Sequence, residues 1–140
     1  MKKILLLSFV IAACFSCSKD DAPGSVFYFE VLPIESVTIP SQVEFGETYT
    51  IDYNYLRPSD CHFFSDLYYL VEGSTRTVAV VNSVLNSTEE NCSSFTNEIV
   101  ESSFDFYVTQ EQGAYTFKFW QGENENGDDT YLVFEVPVVD

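Results

Sequence analysis

The sequence predicts an all-β fold, an antiparallel β-sandwich of about seven or eight strands. Apolar and polar residues alternate with a period of two over several segments. The clearest is 48–56, where Tyr49, Ile51, Tyr53 and Tyr55 share one face and Thr50, Asp52 and Asn54 the other. Turn-forming residues punctuate the chain roughly every 8–12 residues. No segment shows the period of about 3.6 that a helix requires.

Taken in order, the chain begins with a basic start, Met1-Lys2-Lys3, then an apolar run to Ala13 and small residues and cysteines to Cys17. This is the layout of a secretory leader. The run is shorter than the roughly 20 residues that a membrane span needs, so residues 1–16 are assigned as a removable signal peptide. Residues 17–25 are polar, contain Pro23 and Gly24, and read as a tether. Residues 26–140 form one domain.

Residues 26–32 are an opening strand. Pro33 interrupts it and 34–39 resumes, so this stretch is an edge strand or one that switches sheets. Pro40, Ser41 and Gly46 mark turns, and the strand at 48–56 follows. Arg57-Pro58-Ser59-Asp60 is a turn. In the next strand, 62–72, Phe63, Leu67, Tyr69 and Val71 face inward and Phe64, Asp66, Tyr68, Leu70 and Glu72 outward. Gly73-Ser74 turns the chain into a Val-rich strand at 75–85. Residues 86–97 form a polar loop, and 98–108 a strand with Val100, Phe104, Phe106 and Val108 inward. Residues 115–120 and 130–138 are the last strands, joined by an acidic turn.

Two resemblances sharpen this reading. Cys17-Ser18-Lys19-Asp20-Asp21 resembles the start of mature lipoproteins of the Bacteroidota type. The resemblance implies acylation of Cys17, with Cys14 as the alternative, and an export signal in Lys19, Asp20 and Asp21. It also implies attachment to the outer membrane, at the cell surface, through lipid. Two or three acyl chains suffice for stable anchoring. Secondly, Glu111-x-Gly113-x-Tyr115-x-Phe117 resembles the corner before the sixth strand of immunoglobulin-like domains. Phe117 stands where those of antibodies carry a cysteine. The resemblance implies an immunoglobulin-like or fibronectin-like sandwich without the inter-sheet disulfide.

Composition narrows the function. The chain carries 22 acidic against 6 basic residues, net −16, and loss of Lys2 and Lys3 with the leader makes this −18. That excludes the basic footprint of a nucleic-acid binder and opposes docking of the domain body on anionic lipid. Cys61 and Cys92 are the only cysteines beyond the leader region. In an oxidising envelope they are expected to pair. His62 is the only histidine, and no nucleophile elbow, phosphate loop or zinc spacing accompanies it. Catalysis and cofactors are therefore not expected, an unassigned hydrolase being the alternative. Glu123, Glu125, Asp128 and Asp129 crowd one turn and are a calcium candidate, although the turn misses the EF-hand template.

The strand pattern also turns Phe64, Tyr68, Trp120 and Tyr131 outward on strands expected to be neighbours. Together they form a candidate binding face for a glycan or an envelope protein. The sequence thus predicts a non-catalytic, lipid-anchored binding or accessory module. The alternative is a structural or inhibitor-like protein acting on an envelope enzyme through its loops.

Overall fold

The structure, a computed structural model, describes residues 27–85 and 91–140. The assigned leader, the tether with Cys14, Cys17, Lys19, Asp20 and Asp21, and residues 86–90 of the polar loop lie outside these residues. The described chain is all-β, with nine strands: β1 (Phe27–Leu32), β2 (Ile34–Thr38), β3 (Val43–Glu44), β4 (Thr48–Ser59), β5 (His62–Glu72), β6 (Thr75–Leu85), β7 (Ser94–Tyr107), β8 (Ala114–Glu123) and β9 (Asp129–Val139). None of the described residues forms a helix long and apolar enough to cross a membrane.

The strands form two sheets. One has three strands in the order β2-β4-β7; the other has six, β1-β6-β8-β9-β3 with β5 also on β6. Pro33 separates β1, in the larger sheet, from β2, in the smaller. The interrupted stretch therefore switches sheets, as a residue without an N–H to give a ladder permits. Ile34, Ile51, Tyr53, Tyr55 and Phe106 of the smaller sheet meet Val78, Val80, Tyr115, Phe117, Phe119 and Val136 of the larger in one core. The alternating apolar sets of 48–56 and 98–108, together with Tyr115, Phe117, Phe119, Leu132, Phe134 and Val136 of the last two strands, all belong to this core or pack against it.

Four expectations need correction. There are nine strands rather than seven or eight, the two-residue β3 being too short to show in the alternation. The larger sheet is mixed rather than antiparallel, because β6 pairs with β8, and β3 with β9, in parallel. The turn expected at Arg57-Pro58 is part of β4, whose register with β7 shifts between Arg57 and Ser59. Pro58 has no N–H for the ladder, and a bulge absorbs it without ending the strand. Finally, β5 is not a neighbour of β8, because β6 lies between them. Burial accounts for the order. β6 is the most covered strand, with Val78, Val80 and Val84 inward and Ala79 covered on the other side. It takes the sheet interior, while β5, with Asp66, Glu72 and a bulge, takes an edge.

The corner between β7 and β8 is closed by Tyr115. Its ring is fully buried, and its hydroxyl accepts the N–H groups of Thr109 and Gln110, each at 2.9 Å. The side chain thus satisfies two backbone donors where the chain leaves one sheet for the other. Tyr115→Phe keeps the ring and strands both donors. It is expected to lose about 1–3 kcal/mol in chemical denaturation; an unchanged midpoint would show that water replaces the hydroxyl without cost.

Candidate functional site: an aromatic outer face

The two outer faces differ in chemistry. That of the smaller sheet presents Ser36, Thr38, Asp52, Asn54, Glu101 and Ser103, a solvated surface. That of the larger sheet is apolar and aromatic along most of its length. Partners in register project to the same side. β1 therefore contributes Phe27, Phe29 and Val31, β6 contributes Ala79, Val81 and Leu85, and β5 contributes Phe63, Tyr68 and Leu70. Trp120 of β8 and Tyr131 of β9 face each other in register and complete it.

The structure brings three of the four expected aromatics together. Tyr68, Trp120 and Tyr131 line one hollow of about 450 Å³, with Leu70, Glu72, Lys118 and Asp129 among its other walls. Phe64 is not there. The register of β5 on β6 slips between Phe64 and Asp66, so Phe64 pairs with the buried Asn82 and lies on the opposite face. Phe63, expected inward, is on the outer face instead. A single inserted residue exchanges the two faces of a strand. Alternation alone could not have found it, because Ser65 carries no signal that distinguishes a bulge from a regular solvent-facing position.

Polar contacts fix the hollow. Trp120 donates its indole N–H to one carboxylate oxygen of Asp129 at 2.7 Å, and the Tyr131 hydroxyl donates to the other at 3.3 Å. One ionised group thus orients both rings, and such bonds are stronger than neutral ones. Burial, and next the Asp129 charge, push the Tyr131 phenol above its ordinary range. Lys118 holds its ammonium 4.2 Å from the centre of the Tyr131 ring, a cation–π arrangement. It is the one lysine among the described residues. Of the two arginines, Arg57 reaches Glu98 at 3.5 Å, and Arg76 is buried, donating to the carbonyls of Gly73 and Thr75.

The structure also reveals a relay that sequence reasoning missed, with Ser59 and His62 buried and the Glu30 side chain 42% exposed. Ser59 Oγ lies 2.7 Å from His62 Nδ1, and His62 Nε2 lies 2.9 Å from a Glu30 carboxylate oxygen. Serine, imidazole and carboxylate are therefore in line, the order that nucleophilic catalysis uses. Ser59 Oγ also accepts the Cys61 N–H at 3.2 Å, and neither Ser59 nor His62 lines any of the four hollows described. The relay ties β1 to the β4–β5 turn. Its only sequence signal was a lone histidine, since Glu30 lies 32 residues away.

Cys61 and Cys92 form the expected disulfide, with Cα atoms 5.5 Å apart. Glu123, Glu125, Asp128 and Asp129 do not converge. The only group of three such ligands within 4.8 Å among the described residues is Asp60, Cys61 and Cys92, whose sulfurs are bonded to each other. The acidic turn is organised instead by Asn124, whose side-chain carbonyl accepts the N–H groups of Asn126 and Asp128. Comparison with models of protein families, with curated proteins and with solved structures finds no match.

Proposed function

We propose that the chain is a lipid-anchored, non-catalytic binding module of the cell envelope. In this reading its domain is an immunoglobulin-like sandwich whose outer aromatic face takes a neutral glycan. The corner closed by Tyr115 and the β2-β4-β7 order support the immunoglobulin-like assignment. The leader pattern and Cys17-Ser18-Lys19-Asp20-Asp21 support the anchor.

One observation carries the ligand class: Trp120 and Tyr131 stand side by side, both held by Asp129, beside Tyr68 and Lys118 in one open hollow. A sugar ring offers apolar C–H faces for aromatic planes and a rim of hydroxyls for donors and acceptors. Here the ammonium of Lys118 donates, and the carboxylates of Glu72 and Asp129 accept. Two negative charges against one positive favour uncharged sugars over uronic or sulfated ones. The chain's net −16 acts in the same sense.

The test is titration of the purified protein with soluble neutral polysaccharides. Replacing Trp120 and Tyr131 together by Ala is expected to weaken binding about tenfold or more, from ~1 kcal/mol for each aromatic contact. The melting temperature should stay within a few degrees, since neither ring belongs to the core. Undiminished binding by the double variant would remove the hollow from consideration. Failure of the unsubstituted protein to bind any neutral glycan would remove the ligand class.

A further inference from the structure

The apolar face has a second end, and its chemistry differs. A hollow of about 250 Å³ is lined by Phe27, Phe29, Phe63, Ser65, Ser83 and Leu85, without a charged side chain among them. Phe29 is 63% exposed, and Phe27 and Phe63 are each 48% exposed. The Phe27 and Phe29 rings meet edge to face at 5.6 Å, and Phe29 and Phe63 flank Ser83 from opposite sides of β6. Three phenylalanines so displayed are an unexpected feature in a chain with 22 acidic residues.

We infer that this phenylalanine end rests in the headgroup region of the membrane to which the chain is tethered. The inference depends on the anchor reading above. Phe27 is both the first described residue and a member of the patch. It follows Cys17 by ten positions, so the covalent path from lipid to patch spans at most about 35 Å. The patch is therefore the part of the face that an acyl anchor at Cys17 holds nearest to lipid. Side chains on one face of adjacent strands point the same way, so all three rings enter together, at the shallow depth that apolar side chains of peripheral proteins reach. The matching lipid is zwitterionic, since the acidic chain is repelled by an anionic leaflet. The opposite half of the face, with Lys118, Glu72 and Asp129, is too polar to follow.

The chain offers its own control, because Trp120 is its only tryptophan and lies in that polar half. The full chain, produced with its leader, is reconstituted in phosphatidylcholine vesicles carrying shallow-brominated lipid, and the mass of its N-terminal peptide is recorded. Phe29→Trp and, separately, Phe63→Trp are made in a Trp120→Phe background; exposure of both sites leaves room for the indole. The expected result is about a twofold loss of fluorescence at positions 29 and 63, with Trp120 of the unsubstituted chain unquenched. An acylated chain in which positions 29 and 63 are no more quenched than Trp120 overturns the inference and leaves the anchor standing. A peptide mass without acyl chains overturns the anchor, and the inference with it.

Discussion

Phe117→Ala is expected to remove about 3–5 kcal/mol of stability, the usual range for emptying a buried phenylalanine site. Phe117 is 1% exposed and sits where the two sheets meet. Its ring lies 5.0 Å from Phe106 of the smaller sheet, at a near-perpendicular 86°, and 6.1 Å from Phe119, nearly parallel to it. Phe106 also touches Tyr115. Truncation at this position therefore leaves a void lined by aromatic rings from both layers, each held by its own strand. β-Sheet ladders resist the collapse that would refill such a void, so the cost should lie toward the upper end of the range. Domains of this size have only about 5–15 kcal/mol in total. The check is urea unfolding followed by both fluorescence and circular dichroism. Phe117→Leu, which keeps most of the volume, should cost much less. A loss for the alanine variant of under about 1.5 kcal/mol would mean that the layers close over the gap.

That core was legible because its strands alternate without interruption. Tyr115, Phe117 and Phe119 occupy every second position, and polar partners mark the other face. β5 and β6 begin and end where expected, since Gly73 supplies the positive φ of the turn between them. The order of strands in the sheet was not legible. Parallel pairing of β6 with β8 joins segments separated by β7, and no local pattern encodes such a partner. What decides it is competition for the sheet interior, which the Val-rich β6 wins from the more polar β5. The candidate face was legible for the same reason as the core, and failed at one residue for a local reason. Tyr68, Trp120 and Tyr131 keep unbroken register with the core residues of their own strands, the shift in β8 coming only after Trp120, whereas the bulge at Ser65 separates Phe64 from Leu67 and Tyr69. Lys118 gave no signal, and Asp129 stood out only as one acid of the turn, because their roles at the hollow arise only when β8 and β9 pair.

Removing the disulfide by Cys61→Ala with Cys92→Ala is expected to cost about 3.5 kcal/mol, from the closure entropy of a loop of this length in the unfolded chain. The two residues are 31 positions apart. The bridge joins the β4–β5 turn to the residues leading into β7, and the surrounding backbone reinforces it. Asp60 exchanges bonds with Ser93 through its N–H and its carboxylate, and Leu85 donates to the Cys61 carbonyl. These bonds form only in the folded state and remain available without the bridge, so the fold should persist with a lower midpoint. The expected fall in melting temperature is roughly 10–20 °C for a domain of this size. Because the effect acts on the unfolded ensemble, it should appear mainly as slower folding if the corner forms early, and as faster unfolding if it forms late. Refolding and unfolding rates of the unsubstituted and double-alanine proteins separate the two. A fall of less than about 3 °C would contradict the chain-entropy account and assign the holding of this corner to Asp60, Ser93 and the Ser59–His62–Glu30 relay.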